Sequence, residues 1–228
     1  ELEQSYEKAR SELFFTSPSP GTLALFMQNK YYSSYEEYLE NLANVLKQEY
    51  DLIAARGFYL QIDCPDLAMG RHTRFKHLSD DEFLAVIDVN IRALNHALAS
   101  VDPGKCRIHV CWGNYPGTHH RDIGLKKIFN QIMSVNARFI SIEAGNHRHG
   151  HEWILFEELG FPDDKILMPG VVDTSSNAVE HPDLVAQRIL NYANIIGADR
   201  VIGSTDCGFA TTASATSVSA EAAWLKLE

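Results

Sequence analysis

Apolar residues in this chain gather in short continuous runs that alternate with longer stretches of helical period. The runs are LFFTSPSP at 13–20, FYLQIDCPD at 58–66, CRIHVCWGN at 106–114, RFISIEAGN at 138–146, KILMPGVVD at 165–173 and DRVIGSTDCG at 199–208. Between them, the pattern predicts helices over about 34–56, 80–100, 124–135, 151–160 and 181–197. Strands that are apolar throughout, each followed by a helix, fit a parallel sheet, because helices then cover strand faces that alternation would leave polar. The expectation is an α/β fold of the (β/α)8 TIM-barrel kind, with six strand–helix units in this chain.

The punctuation agrees with that division. Ser79 before DDEFLAVI is an N-cap followed by early acids, and Gly57 and Gly197 stand where helices should stop. The stretch 211–228 begins with small residues and ends in AEAAWLKLE, a tail with a terminal helix. At 228 residues and 45% hydrophobic content, one catalytic domain over 1–228 is the expected organisation.

A formal net charge of −10 argues against a surface built to neutralise nucleic-acid phosphates and points to small-molecule partners. The opening ELEQSYEKAR is charged, and no stretch approaches the roughly 18 apolar residues of a spanning helix. A cytoplasmic protein without a membrane partner is expected, and a homo-oligomer is compatible with the sequence. The four cysteines, at 64, 106, 111 and 207, lack disulfide-scaffold spacing and read as thiols. Cys64 and Cys106 have no ligand spacing and are expected to be buried.

Reactive residues recur where strands end: Ser17 to Ser19, Asp63, His109 with Cys111, Glu143, Asp173 and Cys207. In a barrel, active sites assemble at that end. His109 and Cys111 are two apart on one strand, so both side chains face the same way. Imidazole nitrogen and thiolate sulfur are zinc's preferred donors, though an H-x-C pair alone also fits an ordinary core. Glu143 and Cys207 each close an apolar run, where a carboxylate is costly to desolvate without a partner. Together they are what a four-ligand site drawn from three strands needs.

Five segments carry a family resemblance: QIDCPDLA at 61–68, HVCWGNYPGTHH at 109–120, ISIEAGN at 140–146, PGVVDTSSNAVEHPDLVAQRI at 169–189 and DCGF at 206–209. Over roughly 14–210 the chain resembles the catalytic domain of cobalamin-independent methionine synthase, and more closely the branch that includes epoxyalkane:coenzyme M transferase. The resemblance implies a zinc ion held by His109, Cys111, Glu143 and Cys207, and an Asp63 that contacts the amino group of homocysteine. The implied reaction is S-alkylation of a thiol, homocysteine or coenzyme M, by a methylated folate or an epoxide. In it the thiol binds as thiolate, displacing Glu143 or a water, and attacks in line.

Three departures steer this expectation. Where the methionine synthases carry a proton-donating histidine two residues after the aspartate of PGVVDTS, this chain has Ser175, which cannot donate a proton near neutral pH. The family's Asp-Glu-Pro-Ala reads Asp63-Cys64-Pro65-Asp66, which leans toward the coenzyme M branch. The match begins at what should be the third barrel strand. Two alternatives follow: a non-catalytic or regulatory barrel remnant, or a metal-free uroporphyrinogen decarboxylase-like enzyme.

Other polar segments have a functional reading beside an ordinary one. His119 and His120 are candidate catalytic residues, as protonators of an alkoxide, and Asn114, Arg121 and Asp173 are candidate substrate contacts. The alternative for His119, His120 and Arg121 is a plain loop. Asp173 can also orient metal ligands, whereas Glu180 reads as a cap or surface residue. RHTRFKH at 71–77 reads as a solvated loop that could attract an anion, and His147, His149 and His151 as surface or substrate-loop histidines rather than a second metal cluster.

Overall fold

The computed structural model describes residues 13–115, 117–211 and 217–228. Six strands, β1 (Phe14–Pro18), β2 (Tyr59–Asp63), β3 (Cys106–Val110), β4 (Phe139–Ile142), β5 (Ile166–Val172) and β6 (Ser204–Thr205), pair in parallel and in chain order. Between and after them run α1 (Pro20–Phe26), α2 (Tyr35–Ala55), α3 (Asp80–Ala97), α4 (Leu125–Met133), α5 (Leu155–Leu159), α6 (Pro182–Ile196) and α7 (Ala220–Leu227). The six-unit α/β expectation therefore holds, and the sheet is an incomplete barrel of the TIM kind. The charged segment at 1–10 and part of the tail, 212–216, lie outside the described residues. Among the described residues no helix is long and apolar enough to cross a membrane.

The two-residue strand period divides each strand between two environments. Leu60 and Ile62 on β2, Cys106, Ile108 and Val110 on β3, and Ile140 on β4 are buried in a single core with Phe83, Ile87, Ile128 and Ile132 of the helices. Cys64 and Cys106 are buried free thiols, as expected. The residues in between, Gln61, Asp63, Arg107, His109 and Ser141, face a cavity of about 660 Å³ on the other side of the sheet.

Three elements differ from the sequence expectation. The first run does not continue to residue 20: Ser19 caps α1, accepting from the Thr22 amide at 2.9 Å, with Pro20 at the first helical position. The helix expected over 151–160 divides into a 3₁₀ turn, Glu152–Ile154, and α5. The last strand shrinks to Ser204–Thr205, with a 3₁₀ turn at Ala198–Arg200 and an isolated bridge from Val201 to Leu167. Its pairing with β5 carries a register shift between Gly170 and Val172, where Asp206 presses against the backbone.

Two buried carboxylates tie strand ends to their surroundings. Asp66, just past β2, accepts from the Ser19 hydroxyl at 2.6 Å, the Thr22 hydroxyl at 2.9 Å and the Asn90 amide at 2.9 Å, joining α1 and α3 to the sheet. Asp206, just past β6, accepts from the amides of Ala144 and Gly145 at 2.8 and 2.7 Å and from the Asn146 side chain at 2.8 Å. Burial pushes both carboxyls up, and these bonds oppose it.

Close approach at Asp206 requires glycine at 170, since a Cβ there would meet Asp206 Oδ1 at 2.1 Å and its Cα at 2.6 Å. Gly170→Ala is expected to lower stability by about 1–3 kcal/mol through overpacking, read as a lower urea midpoint at unchanged m-value. A midpoint equal to that of the parent protein would show that β5 and β6 are not held together this way.

Candidate metal centre

Register sets the level of the site. Asp63, His109 and Ser141 stand side by side across β2, β3 and β4, and two residues further on lie Cys111 and Glu143. Cys207 follows β6 and reaches back over the cavity. His109 Nε2 lies 3.3 Å from Cys207 Sγ, and the two sulfurs, Cys111 Sγ and Cys207 Sγ, are 3.3 Å apart. The three donor atoms all fall within 4.8 Å of one another. Ser141 Oγ, 3.3 Å from His109 Nδ1, meets the other ring nitrogen.

The sulfurs are set to share one proton. The bond from Cys207, with help from His109, lowers the Cys111 thiol to about 6 despite burial. Cys207 is pushed up by that same bond and by burial, because losing its proton would set a second negative charge beside the first. The amide of Gly113 donates to Cys111 Sγ at 3.1 Å, and its φ of 106° turns the chain so that this amide points back. Loss of solvent around half-buried His109 disfavours its charged form, yet Cys111, Asp63 and Glu143 raise it overall.

Glu143 borders this group without being one of its three members. Its Oε1 is 3.8 Å from Cys207 Sγ and accepts from the Trp112 amide at 2.7 Å. Its Oε2 accepts from Asn146 at 2.9 Å and from Arg148 at 2.7 Å. A carboxylate that is 3% exposed is thus satisfied on both oxygens.

The remaining predicted residues divide between the cavity and its surroundings. Asp63 lines the cavity, accepting from Gln61 at 2.9 Å, and burial raises its carboxyl. Asn114 also lines it, donating to the Gly208 carbonyl at 2.6 Å. His119, His120, Arg121 and Asp173 do not. His119 is buried against Asp122 and the Tyr115 carbonyl, whereas His120 and Arg121 are exposed. Asp173 accepts from the Ser175 amide and hydroxyl at 2.8 and 2.6 Å, so each of these two residues occupies the other.

Two loop readings need correction. His149 is not a surface histidine: it is 3% exposed, packs on the Trp112 ring at 4.2 Å and pairs with Glu152 at 2.8 Å. Burial opposes its protonation, but Asp122 and Glu152 raise it to about 9. His72, in the segment read as a solvated loop, lies 2.9 Å from Asp122 with its side chain 7% exposed.

Sequence reasoning missed Arg107, Ser141, Asn146, Arg148 and Asp206. Arg107 and Ser141 share the cavity-facing phase of His109 and could have been found by counting in twos. Asn146, Arg148 and Asp206 act from loops, where no period predicts direction.

The donor set fits zinc. Tetrahedral coordination with bonds of about 2.0–2.3 Å separates neighbouring ligand atoms by roughly 3.3–3.8 Å. The measured spacings, 3.3, 3.3 and 3.8 Å from Cys207 Sγ to His109, Cys111 and Glu143, fall in that range.

Comparison with known proteins identifies the family. The family model described as the cobalamin-independent synthase catalytic domain matches residues 20–223. A methionine synthase of Thermococcus kodakarensis is 30% identical over 192 residues, which is 83% of this chain and 48% of that protein. A 2-hydroxypropyl-CoM lyase of Xanthobacter autotrophicus is 28% identical over 146 residues, 53% of this chain and 39% of that protein. The structure of a B12-independent methionine synthase from Shewanella sp. W3-18-1 in complex with selenomethionine superposes with a TM-score of 0.71 at 20% identity, over 98% of this chain and 62% of that one. The chain spans about half the length of the methionine synthase it matches. A six-stranded parallel sheet bearing a His–Cys–Cys group at its C-terminal edge, matched along most of its length, places this chain in the family of cobalamin-independent synthase catalytic domains.

Proposed function

We propose that the chain is the catalytic part of a zinc-dependent thiol S-alkyltransferase. The observation that carries this reading is the convergence of His109 Nε2, Cys111 Sγ and Cys207 Sγ, with Glu143 beside them, over a cavity large enough for a small thiol and its alkyl donor. Bound there, zinc would keep a substrate thiol deprotonated and nucleophilic at neutral pH.

The chain's own residues divide the remaining work. Ser141 fixes the His109 ring through Nδ1, leaving Nε2 for the centre. Trp112, Asn146 and Arg148 hold Glu143 at the edge, so the carboxylate needs no water to satisfy it. Asp63 offers a carboxylate on the cavity wall for a substrate amino group, and Arg107 offers a cation on the same wall for an anionic group. Ser175, turned onto Asp173, supplies no proton for a folate leaving group. This favours coenzyme M with an epoxide over homocysteine with a methylated folate.

The test offers zinc-loaded protein each thiol with its matching donor and follows the alkylated product. Turnover of coenzyme M with an epoxide, abolished by chelation and by Cys207→Ser, is expected. Turnover only with homocysteine and methylated folate would overturn the choice of donor, and turnover of neither would sink the alkyltransferase reading.

Asp63→Asn distinguishes the thiols further. A charge-assisted hydrogen bond contributes about 1.5–3 kcal/mol, so kcat/KM should fall roughly 10–100-fold for an amino-bearing thiol and stay nearly constant for coenzyme M. Equal losses for both thiols would remove Asp63 from amino-group recognition.

In metal-free protein, Cys111 should react with iodoacetamide along a pH curve centred near 6, since its thiolate forms as pH rises through that value. Zinc should abolish the reaction. A curve centred near the ordinary thiol value of about 8.5 would show that the two sulfurs do not meet in solution.

A further inference from the structure

Three βα loops meet in a second cluster beyond Glu143. His72 comes from the loop after β2, His119 and Asp122 from the loop after β3, and His149 from the loop after β4. His72 Nδ1 lies 2.9 Å from Asp122 Oδ1, His119 Nδ1 3.1 Å from Oδ2, and His149 Nε2 3.5 Å from Oδ2. The side chains are 7%, 0%, 4% and, for Asp122, 9% exposed. The ligand atoms of His72, His119 and Asp122 all lie within 4.8 Å of one another.

Each imidazole is anchored by the nitrogen that faces away from Asp122. His119 Nε2 is 3.0 Å from the Tyr115 carbonyl, which only accepts, so that nitrogen carries the hydrogen. A neutral His119 then directs the lone pair of Nδ1 at the Asp122 carboxylate. His149 differs: Asp122 and Glu152 favour its charged form, so both ring nitrogens carry hydrogens, Nδ1 facing Glu152 Oε2 at 2.8 Å and Nε2 facing Asp122 Oδ2 at 3.5 Å. His72 Nε2 is 2.9 Å from the Tyr115 hydroxyl, and its Nδ1, though close to Asp122, makes no hydrogen bond because the directions do not match.

The ring nitrogens of His72 and His119 therefore converge on one carboxylate from 2.9 and 3.1 Å, and neutral His119 faces it with a buried lone pair. A lone pair facing an acceptor oxygen is costly unless a cation lies between them. Arg148 donates through Nη2 to Glu143 at 2.7 Å and pairs with Asp122 through Nε at 3.8 Å, so it offsets part of the carboxylate's charge from outside the His72, His119 and Asp122 group. Outer nitrogens bonded to a carbonyl in His119 and to a hydroxyl in His72 are the setting in which metal-ligating histidines are found.

We propose that His72 Nδ1, His119 Nδ1 and a carboxylate oxygen of Asp122 form a second metal site for a divalent transition ion, zinc by ligand type. The site has three protein ligands and no sulfur. It pins the loop after β2 to the loop that carries Cys111, and it is independent of the thiolate centre.

The test is metal analysis with X-ray absorption on dialysed protein. Wild type should carry two zinc ions per chain, one of them bound to sulfur. Cys111→Ser with Cys207→Ser should retain one ion coordinated by nitrogen and oxygen alone, and adding His72→Asn should abolish it. His72→Asn alone should leave a single sulfur-bound ion, and this measurement decides the matter if the cysteine variant does not fold. A wild type holding one sulfur-bound zinc, or an ion that survives the triple change, overturns the second site without touching the alkyltransferase reading. One ion bound only to nitrogen and oxygen in wild type would support the second site and remove the zinc thiolate.

Discussion

A strand period of two, carried across parallel neighbours in fixed register, is the constraint on which the site depends. Asp63, His109 and Ser141 occupy one level of the sheet because Asp63 pairs with His109 and His109 with Ser141. A slip of one residue would turn His109 and Cys111 into the core and bring Ile108 and Val110 to the cavity. Burying Ile108 and Val110 against the helices therefore also aims the imidazole and the thiol. The same apolar contacts serve folding and chemistry.

Register alone does not close the centre, since Cys207 comes from a strand of two residues with irregular pairing. Asp206 supplies what the short ladder lacks. By accepting two successive amides and one side chain from residues 144–146, its carboxylate fastens the end of β6 to the segment that begins with Glu143. Glu143 is in turn held by Trp112, the residue after Cys111. The positions of Cys111, Glu143 and Cys207 are thus coupled through bonds among their immediate neighbours, and a buried carboxylate bonded at both oxygens is rigid enough to hold them.

Much of this was legible in the residues. Apolar runs alternating with helical periods specify a parallel sheet whatever the loops do, and the i, i+2 spacing of His109 and Cys111 specifies a shared face. The short helix α1 was readable too, from Ser19 followed by Pro20, but the preceding apolar run masked it. Loop side chains were not readable in this way. His119 and His149 look alike in sequence, each in a histidine-rich polar stretch, and both prove buried because Asp122 and Trp112 lie where only tertiary packing could put them. His120 and Arg121, next to His119, face solvent instead, at a turn where His119 takes a φ of 50°.

On the alkyltransferase reading proposed above, the division between strand and loop residues would let one centre serve different alkyl donors. The donor atoms come from strands or from positions just after them, fixed by the register and, for Cys207, by the bonds of Asp206. Leaving-group chemistry belongs to residues further into the loops, which can change without moving the centre. Ser175 illustrates this: its hydroxyl is occupied by Asp173, and neither residue lines the cavity that holds His109, Cys111 and Cys207. An epoxide carries its leaving oxygen within the molecule and places less demand on a donor fixed at that position than a folate amine does. On that reading, serine at 175 beside His109, Cys111 and Cys207 fits a change of alkyl donor at a thiol-activating centre.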